Sequence, residues 1–276
     1  MSIAAFRRLH ESGCFVMPNA WDAGSAAMLQ HLGFPAIAST SSGFAWSLAR
    51  RDNEVGLNQV LAHLRALVET VDVPINADFE GGFAVDPDDV AVNVTLGVGT
   101  GVAGLSIEDS TGDAGEPLYD FELSVARVAA ARSAIDASGT GVLLTGRSEG
   151  FIVGRPDIDE TIRRLRAYSA AGADCLYAPG IRTPQDIRAV VDAVSPKAVN
   201  VLVSSDFSTV AALADAGVRR ISVGGALARV AWAALMSAAR EIKDSGTFVE
   251  LGTAAPSSMI EEGFHDLGGW DDGTMG

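Results

Sequence analysis

Short apolar and β-branched runs recur along this 276-residue chain, most ending in Gly, Ser, Asp or Asn and leading into a stretch with helical spacing. Strands are predicted at about 15–20 (FVMPNA), 36–40 (AIAST), 75–80 (INADFE), 104–109 (GLSIED), 142–149 (VLLTGRSE), 175–180 (CLYAPG), 200–205 (NVLVSS) and 220–225 (RISVGG). Between them, stretches such as LNQVLAHLRALVETV and ELSVARVAAARSAI repeat apolar residues every three or four positions, the period of a helix with one buried face. Alternating strand and helix predicts a parallel sheet with right-handed crossovers. Eight such units predict a closed (β/α)8 TIM-type barrel. No GxGxxG follows the first strand, so the usual mark of a dinucleotide-binding sheet is missing.

Barrels of about 250 residues are commonly one domain. Residues 1–243 are read as the barrel domain, and 244–276 as an acidic, Gly-rich C-terminal extension without Lys or Arg, ordered in part by contacts. The segment ALARVAWAALMSAA, 226–239, is apolar nearly all round. Such a helix is normally covered on more than one side. As the last barrel helix it needs a second cover, and a partner subunit is the expected one.

Composition narrows the partners. A net charge of −15 opposes binding to phosphate backbones and anionic membranes, so neither nucleic acid nor a membrane is an expected partner. An anionic substrate would require a local cation, either a divalent metal, an arginine or both. Cys14 and Cys175 are too few for a disulfide framework or a zinc site. With no apolar leader and no membrane-length apolar run, a soluble, cytoplasmic protein is expected.

Candidate chemistry lies at the strand ends, where barrels of this type carry their functional side chains. Asp78 and Glu80 in INADFEGGF are two residues apart, which on a strand puts both on the axial face with Asn76, their Cα atoms about 7 Å apart. Glu108 ends the neighbouring strand in GLSIEDS. Three converging acids repel and raise one another's pKa unless a cation sits among them. Hard oxygen donors suit Mg²⁺, with Mn²⁺ as a substitute. His10, His31, His63 and His265 fall in predicted helices or the tail, so the mouth chemistry is expected to run without imidazole.

Arg147, in LLTGRSEGF, could grip a carboxylate bidentately, with Glu149 orienting it. Ser42 and Gly43 could offer backbone N–H groups to an anion, and Asn200 opens the seventh strand facing inward. Each has a plainer reading. A single acid can be a helix cap or a loop salt bridge, Arg147 with Glu149 can be a structural pair, and turn chemistry accounts for Ser42 and Asn200. Cys175 reads as a small core residue, and SVGGALAR has the glycines of a phosphate turn but no accompanying Lys.

PNAWDAGSA, the TSSG strand end, a DxExG element, IEDS, the Arg-x-Glu after the fifth strand and GADCLYAPG occur in that order over about residues 12–243. Together they resemble the isocitrate lyase/phosphoenolpyruvate mutase superfamily. The resemblance implies a barrel with Mg²⁺ at its mouth, making or breaking C–C or C–P bonds next to a 2-oxo acid or its enolate. By position it assigns Asp78, Glu80 and Glu108 to the metal shell, partly through water. Asp52, in ARRDNE, matches a mobile-loop aspartate. Asp52, Arg147 and Glu108 become the implied catalytic residues, and Ser42, Gly43, Asp78, Arg147 and Asn200 the implied substrate contacts. It also implies a homotetramer, a dimer of dimers, that exchanges the last helix between subunits.

The lid differs from that pattern. Where the family's lyases carry a Lys-x-Cys-Gly-His element, this chain reads STGDAGEPLYD, without Cys, His or Lys. The expected activity is Mg-dependent cleavage of a C–C bond in a small 2-oxo or 2-hydroxy di- or tricarboxylate, as in isocitrate or methylisocitrate lyase or an oxaloacetate decarboxylase, through an enolate. The alternatives are a phosphonopyruvate-type C–P mutase or hydrolase, which the ARRDNE loop favours, and a non-catalytic 2-oxo-acid binding protein, which the lid favours. Residues 43–54 and 110–119 are the expected lids.

Overall fold

The protein is described from a computed structural model, which covers residues 3–264; His265 and the rest of the extension lie outside the described residues. The strands are β1 (Phe15–Met17), β2 (Asn19–Ala20), β3 (Ile37–Ser39), β4 (Ile75–Ala77), β5 (Gly104–Glu108), β6 (Leu143–Arg147), β7 (Cys175–Tyr177), β8 (Ala198–Leu202) and β9 (Arg220–Ser222). All pair in parallel, in the order β1-β9-β8-β7-β6-β5-β4-β3-β2. The ends of that order are β1 and β2, which are separated only by Pro18. Phe15 pairs with Arg220 on one side and Asn19 with Ala38 on the other, so the first predicted strand closes a (β/α)8 barrel. Pro18 splits it because its nitrogen has no hydrogen to donate. Its carbonyl still accepts from Ala38 at 2.8 Å.

The helices are α1 (Ile3–Glu11), α2 (Ala23–His31), α3 (Ser41–Ser47), α4 (Leu57–Thr70), α5 (Pro87–Val98), α6 (Phe121–Ser138), α7 (Ile158–Ala170), α8 (Pro184–Val194), α9 (Val210–Asp215), α10 (Ala226–Ser245) and α11 (Ser257–Glu262). Most start on a capping side chain placed soon after a strand. Asp22, Thr40, Asp86, Asp157, Thr183 and Thr209 each accept a backbone N–H from the first turn. Such a cap contributes about 1 kcal/mol and fixes where the strand-to-helix loop ends. Pro87 and Pro184 stand at first-turn positions, where a missing N–H costs nothing.

Two apolar clusters build the interior. The larger fills the space between sheet and helices, from Ala20, Leu29 and Ile37 round to Val201, Leu213 and Ile221. The smaller closes the N-terminal end of the barrel, where Phe6 of α1 is buried with Phe15, Met17, Ala36, Ala38, Ala103 and Leu143. Above that plug the inward positions are polar, with Asn76, Ser106, Thr145, Asn200 and Arg220 all buried.

The helix expected at 226–239 runs from Ala226 to Ser245, past the predicted domain edge at 243, and ends on Gly246 in the left-handed conformation. Only Ala228 is buried along it, while Val230, Trp232, Leu235 and Met236 are exposed. The chain then turns on Glu241, whose carboxylate accepts the N–H groups of Val249 and Glu250, both at 2.8 Å. After α11, Gly263 comes so close to α2 that an added Cβ would stand 2.6 Å from the Met28 methyl. Among the described residues, no helix is long and apolar enough to cross a membrane.

Candidate active site

The C-terminal strand ends surround a cavity of about 590 Å³. Six acids line it, Asp52, Asp78, Glu80, Glu108, Asp113 and Glu149, against two cations, Arg147 and Arg220. Register explains part of the convergence. Glu108 lies opposite Arg147, Arg147 opposite Tyr177, Tyr177 opposite Asn200, and Asn200 opposite Arg220, so one row of the barrel carries them all.

Arg147 is the centre of the cluster. Its Nη1 donates to Asp78 at 2.6 Å, Nη2 stands 3.0 Å from Glu108, and Nε donates to Glu149 at 3.0 Å. Its guanidinium also lies over the Tyr177 ring, 5.1 Å from the centroid. The orienting role expected for Glu149 matches this contact. Burial works against the charge on Arg147, but Glu108, Glu149 and Asp78 together outweigh it and raise the pKa. Burial likewise pushes Glu108 and Glu149 up, with Arg147 pulling both down.

Glu80 differs in backbone from the expectation. β4 ends at Ala77, and Glu80 lies beyond it with a left-handed φ of 47°, so Asp78 and Glu80 are not paired along one strand face. Phe79 is fully buried, and Gly82 donates back to the Phe79 carbonyl at 2.9 Å, so the glycine pair bends the chain into a turn at this point. Both acids still line the cavity. Burial first, then Asp78 and Asp52, push Glu80 up to about 8.

Ser42 and Gly43 sit in the first turn of α3 rather than at a strand end. The Gly43 N–H turns to Thr40 Oγ1 at 3.4 Å, and the Ser41 N–H donates to Asp78 at 3.0 Å. Gly43 is required there for space, because a Cβ would lie 2.7 Å from the Thr40 methyl and 2.9 Å from the Trp21 Cβ. The loop expected at 43–54 is therefore helix for its first five residues. The rest holds Ala49 and Asn53 at positive φ and brings Asp52 over the cavity. Desolvation and the Asp78 charge raise the Asp52 pKa.

The second expected lid is a small hairpin. Ser110 bridges Leu118, and Thr111 donates to the Pro117 carbonyl at 3.1 Å. Asp113, Ala114 and Pro117 face the cavity from it.

Asn200 is buried, as an inward residue should be, but its amide is committed. It donates to Ser222 at 2.9 Å and accepts from Arg220 Nε at 2.9 Å. Arg220 in turn donates to Thr145 at 3.0 Å and contacts His10 at 3.3 Å, which holds a cation under the mouth on neutral partners. The phosphate-turn expectation for SVGG meets a prior claim, because Val223 and Gly224 give their N–H groups to Asn19 Oδ1 at 3.0 and 2.8 Å.

Sequence reading missed Asn19, Asp109, Tyr177 and Arg220. Asp109 is the clearest case. It takes the Glu149 N–H at 2.8 Å, the Tyr168 hydroxyl at 2.7 Å and Arg164 at 3.1 Å. Its signal was the second acid of IEDS, which reads as a duplicate of Glu108 until strand alternation sends it outward against α7.

The donor set fits a hard divalent cation, because it is all oxygen and strongly acidic. Among the described residues no three acids stand ready to hold an ion as they are, and Arg147 occupies the position where their carboxylates meet.

Fold and mouth together define a class, a TIM-barrel enzyme with an acid-rich, arginine-centred site at its strand ends. The family model for phosphoenolpyruvate phosphomutase matches residues 6–243, and the chain belongs to this family, within the isocitrate lyase/phosphoenolpyruvate mutase superfamily of lyases and mutases. It is similar to an uncharacterized Mycobacterium tuberculosis protein, 31% identical over 87% of this chain and 89% of that one. It is also similar to oxaloacetate decarboxylase of Paraburkholderia xenovorans, 25% identical over 92% and 86%. A Burkholderia cenocepacia J2315 structure assigned as a lyase/mutase superposes with a TM-score of 0.92 at 44% identity, covering 94% and 95%. A phosphonopyruvate hydrolase in complex with oxalate and Mg²⁺ superposes with a TM-score of 0.82 at 25% identity, covering 94% and 93%.

Proposed function

We propose that this protein cleaves a C–C bond in a small 2-oxo or 2-hydroxy di- or tricarboxylate, with Mg²⁺ (or Mn²⁺) held by Asp78, Glu80 and Glu108, directly or through water. The observation that carries the reading is the gathering of Asp78, Glu108 and Glu149 round Arg147 at the strand ends, with Glu80 and Asp52 beside them. When bound, the cation supplies positive charge against the oxygen of an enolate. Arg147 faces a substrate carboxylate at the same mouth, which Ser42 of the first α3 turn also lines, with Gly43 behind it. Asn200 acts from the floor by holding Ser222 and Arg220. Asp52, its pKa raised by burial and by Asp78, is the group suited to hold a proton over the substrate. The two lids, at 48–54 and 110–118, exclude water when the site is filled.

A dimer of dimers with α10 exchanged between neighbours, in the cytoplasm, completes the reading; the exposed apolar residues of α10 support the exchange. A second reading is C–P cleavage or transfer on phosphonopyruvate. The likeness to the phosphonopyruvate hydrolase of Variovorax sp., 28% identical over 84% of this chain, supports it.

Isocitrate, methylisocitrate, oxaloacetate and phosphonopyruvate, each incubated with Mg²⁺ and followed by NMR, separate these outcomes. Turnover that stops in EDTA is expected for one of the C–C substrates. Phosphate release or rearrangement from phosphonopyruvate would select the second reading, and binding without product from all four would make the protein a 2-oxo-acid binder. Asp78→Asn should lower Mg²⁺-dependent oxalate affinity by about 100-fold or more, measured by calorimetry. Unchanged affinity would remove Asp78 from the metal shell.

A further inference from the structure

Arg147 has three guanidinium nitrogens at the mouth, and protein acids contact all three. Glu149 takes Nε at 3.0 Å, Asp78 takes Nη1 at 2.6 Å and Glu108 lies 3.0 Å from Nη2. A carboxylate gripped by two parallel N–H groups needs a free edge. As the side chains stand, an incoming acid meets a guanidinium whose every nitrogen already faces a protein acid.

The three partners are not equivalent. Asp78 and Glu108 are acids assigned above to the cation. Glu149 is pinned from behind, its N–H on Asp109 at 2.8 Å, with Asp109 fixed by the Tyr168 hydroxyl at 2.7 Å and Arg164 at 3.1 Å. Tyr177 supports the guanidinium face as well. The Nε edge is therefore anchored by groups that no metal would disturb, while both Nη edges rest on acids that a metal would claim.

Charge sets the order of events. Full ionisation of the three acids round one guanidinium would leave two surplus negative charges in a pocket whose side chains are 4–17% exposed. A further carboxylate entering alone adds to that repulsion in a poorly solvated place. A divalent cation removes the surplus.

We infer that Arg147 is the resident counter-ion of the metal-binding acids, and that its Nη edges pass from Asp78 and Glu108 to the substrate carboxylate when a divalent cation takes over those two acids. Cation and acid ligand are thereby coupled through one side chain that pivots on Glu149. This rests on the proposed function, since it takes Asp78 and Glu108 as cation ligands.

Calorimetry with Mn²⁺ and oxalate, and crystals with and without both, test it. Oxalate heats should be absent in EDTA and present with Mn²⁺. Arg147→Met should bind Mn²⁺ alone about tenfold more tightly, because the acids lose their competitor, while oxalate binding to the Mn²⁺ form weakens at least about tenfold. If that variant does not fold, Arg147→Lys keeps the charge without the fork. It should retain Mn²⁺ binding and lose most of the oxalate coupling. In the Mn²⁺–oxalate crystal, the Nη1–Asp78 contact should open while Nε stays on Glu149. Persistence of both Nη contacts in that crystal, or equal oxalate binding in EDTA, overturns the hand-over and leaves the proposed function standing. Failure of the protein to take up Mn²⁺ even with oxalate present overturns the metal reading, and this inference with it.

Discussion

Beneath the mouth, His10 and Arg220 meet at 3.3 Å with no carboxylate between them among the described residues, so the imidazole has to stay neutral. Burial is the main reason, followed by the charge of Arg220 and the smaller effects of Arg7 and Arg219; the Phe6 carbonyl works the other way. Together they lower the His10 pKa to about 3. The unfolded chain takes up this proton near pH 6.5, so His10 stabilises the fold above that value and loses its contribution as pH falls from about 6.5 towards 3. By pH 5 the loss is about 2 kcal/mol from this residue. Denaturant titrations of wild type and His10→Gln should show the variant losing less stability between pH 7 and 5. Parallel curves would mean that His10 is protonated in the fold. Glu80, pushed up to about 8, acts in the opposite direction, so the difference between the two proteins isolates the histidine.

The elements hold the site through close backbone approach. Gly146 precedes Arg147 in β6 and faces outward, where a Cβ would meet the Tyr168 Cβ at 2.9 Å and the Ala173 Cβ at 3.4 Å. Only glycine lets α7 lie this near the strand, and that proximity lets Tyr168 and Arg164 reach Asp109. Gly146→Ala should therefore cost about 1–3 kcal/mol of stability by overpacking. Because α7 would move, oxalate affinity with Mg²⁺ should fall as well, which calorimetry and urea unfolding on the same protein can compare. A loss of stability with no change in affinity would uncouple the Asp109 brace from the site. Pro18 is the other element-level device, since the break it makes lets two halves of one strand pair with different neighbours and close the barrel.

At the scale of the whole molecule, α10 stands out. Val230 and Leu235 are 67% and 58% exposed on a helix with one buried residue, which is a poor end state for an isolated subunit. If the helix is exchanged, a charge at its apolar face breaks the assembly. Leu235→Glu is expected to sediment as a smaller species than wild type, with its far-ultraviolet circular dichroism retained. Identical sedimentation would place the subunit contact elsewhere.

The chain by itself carried the architecture, because strand and helix periods alternate eight times and each period has a direct steric cause. It also carried most of the membership of the mouth, since Asp78, Glu80, Glu108 and Arg147 end predicted strands in a fold whose strand ends share one opening, whereas Asp52 came from the family resemblance. What the residues do to each other was decided by tertiary structure. Glu80 turns left-handed in the bend that follows β4, Asp109 points away from Glu108 to brace Glu149, and Asn200 is claimed by Arg220, a residue twenty positions away. The cation needed among the acids was legible as a requirement. That Arg147 itself fills that position, through a contact spanning 69 residues, depends on how β4 and β6 are set round the barrel on either side of β5, which no local pattern encodes.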